Sequence, residues 1–249
     1  MIVFELVQTE NHPVYQSLQI SNGNRQYDFL RSIVQASIDM GKPFLSQHII
    51  KALNFHAITC LHPYAGEYRP CPVTVGQHQP PEFYRVQTLM DDLVNTVNRY
   101  WDSTDPVALA TYVLWRINNI HPFINGNGRT ARAASYFALC LKSGGLLGGT
   151  TILPELIRQN HTAYCAALQV AHDSFAKGAL DLTLLHALVA QLVAQQLQTA
   201  HVAQPQPQPQ PGTQPPPPQA PAAAAGGTAQ ATTTPNQPII VPNTGTAQP

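Results

Sequence analysis

The residues most able to do chemistry lie in one short stretch, His121 to Arg132, which reads HPFINGNGRTAR. Gly126 and Gly128 allow backbone conformations closed to other residues, so successive N–H groups can turn toward one anion. Arg129 and Arg132 are three residues apart, which places both guanidinium groups on one face of a helix. Because guanidinium groups stay charged and form forked hydrogen bonds to phosphate, the stretch predicts a polyphosphate site.

His121 adds a proton acceptor to this anion site. An unperturbed imidazole has a pKa of about 6.5, which suits a general base that deprotonates an incoming hydroxyl group. The alternative is a purely structural histidine, since the chain contains ten of them. The other histidines receive no role, because their spacing fits no zinc-binding pattern. A second glycine-rich stretch, SGGLLGGT at 143–150, lacks the lysine of a P-loop and indicates a helix end and turn.

Helices are predicted to position this stretch. Apolar residues recur at helical spacing across 29–38, 49–53 and 89–97. Ser46 is a candidate helix cap, and Asp105 followed by Pro106 is a typical helix start. Further helices are expected at 127–142, at 154–176 with a possible break, and at 179–198. The fold class is therefore mainly α.

The segment from Ala65 to His78, AGEYRPCPVTVGQH, interrupts the helical pattern. It has glycines near both ends, two internal prolines and a short alternation at 73–75. These features predict a small β-hairpin that projects from the helical body. An ordinary loop is the alternative.

Composition divides the chain into a domain and a tail. No Asp, Glu, Lys or Arg occurs in 202–249, and this part holds more than half of the 23 prolines. Alternating proline prevents helix and sheet ladders, and the apolar surface is too small to offset the ordering entropy. We predict one domain at 1–200 and a disordered Pro/Gln/Ala/Thr-rich tail at 201–249, either inert or a ligand for a proline-binding domain.

Charge, cysteine content and hydropathy exclude several classes of protein. The 13 basic and 13 acidic residues balance to a net charge of zero, which does not favour a nucleic-acid-binding protein. The four cysteines form no Cys-x-x-Cys pair, and no apolar run is long enough for a membrane span or a signal peptide. We therefore expect no nucleic-acid or membrane partner and a cytoplasmic location, although export as an effector stays open.

The stretch 121–132 closely resembles the motif of the Fic (Fido) family, His-x-Phe-x-acidic-Gly-Asn-Gly-Arg-x-x-Arg. The resemblance extends to AGEYRPCPVTVGQHQPPEFYRVQTLMDDLV, which is similar to the family's flap and following helix, and to DPVALATYVLWRINNIHPF, which is similar to the helix before the motif. It covers about 15–197. The resemblance implies a Fic-type helical bundle with a small β-hairpin flap.

The resemblance also implies an activity, protein adenylylation. ATP would be the substrate, and AMP would pass to a serine, threonine or tyrosine hydroxyl of a target protein with release of pyrophosphate. His121 and Asn127 would be the catalytic residues, the first as base and the second orienting the α-phosphate. The phosphate-binding residues would be Ile124, Asn125, Gly126, Gly128, Arg129 and Arg132, with the two arginines on the β- and γ-phosphates.

Two further regions receive roles from the resemblance. Tyr164 matches, loosely, a region that lines the adenosine pocket in relatives; the alternative is a core tyrosine. The flap would hold the target segment as an added strand. Its docking residues would be Glu67, Tyr68, Val73, Thr74, Val75 and Gly76.

Asn125 departs from the family pattern, which has a carboxylate ligand for Mg²⁺ at this position. An amide oxygen carries no net charge, so we expect Asn125 to bind Mg²⁺ weakly. Slower AMP transfer, another donor (UMP, phosphate or phosphocholine transfer), or a weakened nucleotide-binding or interaction module are the alternatives. Many relatives also carry an inhibitory Ser/Thr-x-x-x-Glu-Gly/Asn pattern. Here Glu10-Asn11 has Leu6 in place of the hydroxyl residue, so we expect Arg132 to be blocked by a separate inhibitor protein or not at all.

Overall fold

The computed structural model describes residues 1–41, 43–76 and 78–202, with only the backbone described at 201 and 202. Nine α-helices lie in these residues: α1 Val3–Val7, α2 Pro13–Asp39, α3 Gln47–Ile58, α4 Val86–Arg99, α5 Pro106–Ile120, α6 Asn127–Lys142, α7 Leu153–Gln159, α8 His161–Ala176 and α9 Thr183–Val202. A short 3₁₀ turn at Phe83–Arg85 precedes α4. The prediction of a mainly α fold is confirmed. The predicted tail lies outside the described residues.

The helices begin where their capping chemistry predicts. The Ser46 side chain accepts a hydrogen bond from the Ile49 N–H (3.2 Å) at the start of α3. Asp105 accepts from the N–H groups of Val107 and Ala108 at the start of α5. Helix α6 has the predicted bounds, and the possible break falls at Asn160 between α7 and α8. Helix α9 starts at Thr183, later than predicted, where Asp181 caps it.

The core is built around α5 and α6, the two helices that flank the motif. Nearly all of α6 from Thr130 to Leu141 is buried. Its alanines allow α5 to approach closely, because the distance between packed helices depends on the side chains at the contact. The largest fully buried side chains include Trp115, Phe123, Tyr136 and Phe137. The motif is therefore anchored on both sides by packed helix.

The predicted β-hairpin is not confirmed. Within the described residues of 65–78 there is no strand, only one isolated antiparallel bridge between Val75 and His78. Pro70 and Pro72 lack the N–H groups that a strand ladder needs, which explains why regular pairing does not extend toward Arg69. We call 65–82 the overlying segment, because it lies against the motif.

None of the helices in the described part of the chain is both long enough and apolar enough to cross a membrane.

Candidate active site

His121 is the C-cap residue of α5. Its backbone is left-handed (φ 52°, ψ 59°), and its N–H donates to the Ile117 carbonyl (2.9 Å). A residue with a Cβ adopts this conformation at a cost of about 1 kcal/mol, so surrounding contacts must hold it. The turn sends the chain into the loop that leads to α6.

The His121 ring is neutral at ordinary pH. Burial lowers its pKa to about 4, and His78, Arg69 and His172 act in the same direction, while the Asn118 carbonyl opposes them. Its Nδ1 is buried and has no hydrogen-bond partner among the described residues. A neutral imidazole with an unsatisfied nitrogen can accept a proton, as general-base catalysis requires.

Asn127 shapes the loop between the histidine and the helix. Its Oδ1 accepts from the Phe123 N–H (2.9 Å) and its Nδ2 donates to the Phe123 carbonyl (2.8 Å). Both bonds are buried. Its predicted role in orienting a phosphate stays a prediction, because the side chain is engaged by the loop in this structure. Ile124 lies half-buried in the same loop.

Gly126 begins α6 in a conformation that only glycine adopts without strain. Its φ is 77°, and a Cβ added there would lie 2.5 Å from Cγ2 of Ile58 and 3.1 Å from Nδ2 of Asn54. Gly126 offers no capping side chain, so the first N–H groups of α6 remain for another acceptor. Gly128 follows in the first turn, where a Cβ would lie 3.3 Å from Nη1 of Arg132. A helix N-terminus of this kind favours an anion.

Among the described residues, the two arginines of the motif form no ion pair with a carboxylate. Arg129 donates to the Ala57 carbonyl (2.8 Å) and to Oδ1 of Asn125 (3.0 Å). Within the described ranges, no carboxylate oxygen lies within 4.0 Å of either Arg129 or Arg132. Burial lowers the pKa of both guanidinium groups. Two desolvated cations without counter-ions form a site for a polyanion.

A cavity of about 790 Å³ opens beside these arginines. Residues of α2, α6 and α7 line it, among them Arg129, Arg132 and Arg158, and His121 does not. The two halves of the site therefore face different surroundings: the arginines face the cavity, and the histidine faces the overlying segment.

Asn125 does not offer a free ligand for Mg²⁺. Its Oδ1 accepts from Arg129 and its Nδ2 donates to Oε1 of Glu10 (3.1 Å). In the part of the chain that the structure describes, no group of three or more His, Cys, Asp or Glu side chains is arranged to hold a metal ion. These donors do not fit a protein-held Mg²⁺, so no chemical step is assigned to a metal here.

Tyr164 lies on α8, in contact with α5, the helix that precedes the motif. Its hydroxyl oxygen accepts from Nδ2 of Asn118 (2.9 Å), three residues before His121. Burial raises the pKa of its phenol, and the charge of Arg132 acts in the opposite direction. The structure thus brings Tyr164 to the site, and its contact with adenosine stays a prediction.

The predicted flap residues fall into two groups. Glu67 pairs with Lys51 (3.2 Å), and the Tyr68 hydroxyl donates to Gln47 (2.9 Å) while its ring packs on Phe123. The residues Val73, Thr74, Val75 and Gly76 alternate between half-buried and exposed. The first group is tied to the site, and the second leaves a face open.

Four residues at the site have no role in the sequence-based prediction. Arg69, His78 and His172 surround His121, and Glu10 contacts Asn125. The Glu10 carboxylate also lies 3.4 Å from Nε2 of His62. Only Glu10 had a sequence signal, the partial inhibitory pattern noted above, and the structure places it beside Asn125 and not beside Arg132.

Comparison with known proteins gives these residues a family. Residues 44–139 match the model of the Fic/DOC family. A segment of 68 residues is 41% identical to a protein named "Protein adenylyltransferase Fic" from Drosophila persimilis, and covers 27% of this chain and 13% of that protein. The corresponding protein of Drosophila willistoni is also 41% identical over 68 residues, 14% of its length. The matched segment thus spans a small part of either relative.

Solved structures show the same fold over more of the chain. Fic-1 of C. elegans superposes with a TM-score of 0.62 at 22% identity, covering 78% of this chain and 54% of that one. A Fic-domain-containing signalling protein from Bacteroides thetaiotaomicron gives 0.58 at 23% identity, covering 81% and 77%. Residues 44–139, which include the motif up to Leu139, thus match the Fic/DOC family, and the fold over most of the chain is that of these two Fic proteins.

Proposed function

We propose that the protein transfers AMP from ATP to a hydroxyl side chain of a target protein. The observation that carries the proposal is a half-buried histidine with a lowered pKa, joined by a five-residue loop to a helix N-terminus. In the described part of the chain, the two arginines of that helix have no carboxylate oxygen within 4.0 Å. Support at family level comes from the relatives named as adenylyltransferases. A proton acceptor beside a polyphosphate site fits attack of a hydroxyl group on a phosphate.

In the proposed reaction, the hydroxyl oxygen of the target attacks the α-phosphorus of ATP. A new O–P bond forms, the bond between the α-phosphorus and the oxygen bridging to the β-phosphate breaks, and pyrophosphate leaves. The hydroxyl proton passes to the His121 ring. The N–H groups at the start of α6, with Arg129 and Arg132, hold the β- and γ-phosphates, so that catalysis comes from positioning and charge stabilisation.

The remaining predicted residues bind the two substrates. Tyr164, between Asn118 and Arg132, would contact the adenosine. The open face of 73–76 would take the target segment as an added strand, which needs free backbone groups and not a preformed hairpin. A donor other than ATP is the second candidate, because Asn125 carries no charge and its amide is engaged by Glu10.

Labelled nucleotides test the proposal. The purified protein is incubated with Mg²⁺ and α-labelled ATP, UTP, GTP or CTP, and separately with γ-labelled ATP, in the presence of cell proteins as acceptors. We expect protein labelling from α-labelled ATP, no labelling from γ-labelled ATP, and release of pyrophosphate. Labelling from the γ-phosphate would show phosphate transfer. Stronger labelling from another nucleotide would show that this nucleotide, and not ATP, is the donor. No labelling in any arm would contradict the proposal.

A further inference from the structure

The overlying segment forms hydrogen bonds to three backbone carbonyl groups around His121. The Arg69 Nε donates to the carbonyl of His121 itself (2.8 Å), and the Arg69 N–H donates to the Pro122 carbonyl (2.9 Å). The His78 Nε2 lies 2.8 Å from the Asn119 carbonyl. One segment therefore holds the chain before, at and after the histidine.

Arg69 makes these contacts as a buried cation. Only 3% of the residue is exposed, and no carboxylate in the described part of the chain lies within 4.0 Å of it. Its remaining bonds go to the carbonyls of Cys71 (3.1 Å) and Pro81, on the two limbs of the overlying segment. One guanidinium group thus closes the segment on itself and joins it to His121. Burying an unpaired charge costs free energy, and these carbonyl contacts offset it.

His78 forms the second attachment, and its contact shows that Nε2 carries a hydrogen. The Asn119 carbonyl only accepts, so His78 Nε2 carries the hydrogen. Asn119 Oδ1 accepts from Arg116 (3.2 Å), so its Nδ2 donates to Nδ1 of His172 (3.3 Å), which must be unprotonated. The two rings stack at 4.1 Å with an interplanar angle of 15°. Because Nδ1 of His172 is unprotonated, the stacked pair does not consist of two imidazolium cations, which would repel each other at this distance.

These attachments matter because the backbone of His121 is strained. The left-handed conformation at a non-glycine residue persists only where its surroundings enforce it. Releasing the His121 carbonyl would let the backbone of the residue relax, and the ring would move with it. A displacement of about 1 Å at a reacting group costs about a hundredfold in rate.

We propose that Arg69 and His78 are positioning residues that hold His121 in the place it needs as the base. The overlying segment can therefore leave its observed position only if His121 also loses its position. This inference rests on the proposed AMP transfer. Docking of a target on 73–76 then acts on the same segment that fixes the base. A target bound correctly would stabilise the productive position of His121.

The test uses variants that remove hydrogen bonds and keep shape. Arg69→Met removes the guanidinium group, Arg69→Lys leaves one donor, and His78→Phe keeps a stacked ring without the bond to Asn119. Arg85→Met is the matched control, because Arg85 is an exposed arginine just beyond the same segment. Each protein is assayed for kcat and for the KM of ATP.

We expect Arg69→Met to lower kcat about tenfold to a hundredfold, with the KM of ATP within about twofold of wild type. Arg69→Lys should recover part of the loss, His78→Phe should show a smaller loss, and Arg85→Met should match wild type. A purely stabilising role would instead lower the fraction of folded protein, and the kcat per folded molecule would not change. That outcome would overturn the proposal.

A second measurement does not depend on activity. The pKa of the His121 ring is followed by NMR titration of the imidazole C2–H signals, with the His121→Ala protein identifying the signal. Arg69→Met removes a neighbouring positive charge, and the opening of the segment lets water reach the ring. Both effects should raise the pKa of His121 in Arg69→Met, and the pKa should stay unchanged in Arg85→Met. An unchanged pKa in both would contradict the positioning role. If the wild-type protein transfers no AMP, the titration still tests the positioning role, and only the proposed function fails. If Arg69→Met does not fold, Arg69→Lys and His78→Phe carry the test.

Discussion

The two ends of the motif loop handle charge in opposite ways. At the His121 end, burial lowers the pKa of His121 and His172, and Arg69 and His78 are held by hydrogen bonds to backbone carbonyls. At the Arg129 end, two cations stay charged beside an open cavity, which Glu155 also lines, and the carboxylate of Glu10 contacts Asn125 in the loop. The first end is built to accept a proton, and the second is built to hold an anion. Gly126 and Asn127 join the two.

A substitution at Gly126, between the two ends of the motif loop, should have the largest effect on stability and on transfer. Gly126→Ala adds a Cβ that would overlap Ile58 in a conformation already strained for alanine. We expect a loss of about 2–4 kcal/mol in the free energy of unfolding and about a hundredfold slower transfer. Gly144→Ala is the control, because Gly144 has φ +78° and open space around it. Its loss should be about 1 kcal/mol from conformation alone. Equal losses in urea unfolding would show that contact with Ile58 is unimportant.

Acid should destabilise the histidine end. Burial lowers the pKa of both His121 and His172 to about 4. The unfolded chain takes up protons on these residues near pH ~6.5, before the folded protein does, so the folded state loses stability as pH falls from 6.5 to 4. We expect a decrease of a few kcal/mol across this window, and a shallower decrease in His172→Gln. Urea unfolding at several pH values measures it, and identical slopes would contradict the neutral state of His172.

Asn127→Ala should separate the loop from the helix without adding bulk. It removes both hydrogen bonds to Phe123 and leaves a buried N–H and carbonyl without partners. We expect a loss of about 1–3 kcal/mol in the free energy of unfolding. Asn95→Ala, at an exposed position of α4, should change it little. If transfer falls far more than stability does, Asn127 also contacts the substrate, as the family resemblance implies.

The smallest effect is expected at the anion end, from Glu10. Its carboxylate contacts Asn125 in the loop, and a negative charge about 4 Å from a phosphate disfavours it by about 1 kcal/mol in water. Glu10→Gln should therefore tighten ATP binding about fivefold, measured by calorimetry without added metal. Glu5→Gln, an exposed glutamate of α1, serves as control. Weaker binding in Glu10→Gln would show that the carboxylate assists the nucleotide.

Local chemistry explains what could be predicted from the sequence. Capping by Ser46 and Asp105 and the apolar spacing placed the helices, and the motif placed His121 before an anion-binding helix start. These features depend on residues a few positions apart. The bounds of α6 follow directly from them.

Long-range contacts explain what could not be predicted. Glu10 contacts Asn125, which lies 115 residues further along the chain. Arg69 donates to backbone carbonyl groups, and because every residue has one, the sequence does not show which of them Arg69 contacts. The alternation at 73–75 predicted strands, yet side-chain bonds from Arg69 and His78 fix the segment instead. The charge environment of His121 could therefore not be predicted from the sequence alone.

The most direct measurement is AMP transfer by His121→Ala, with ATP binding measured on the same sample. His48→Ala, at an exposed histidine, is the control. Because His121 is placed as the proton acceptor and does not line the cavity beside the arginines, we expect transfer from α-labelled ATP to fall at least about a hundredfold while the dissociation constant for ATP stays within about threefold. Transfer at the wild-type rate by the folded His121→Ala protein would contradict the assignment of His121 as the base.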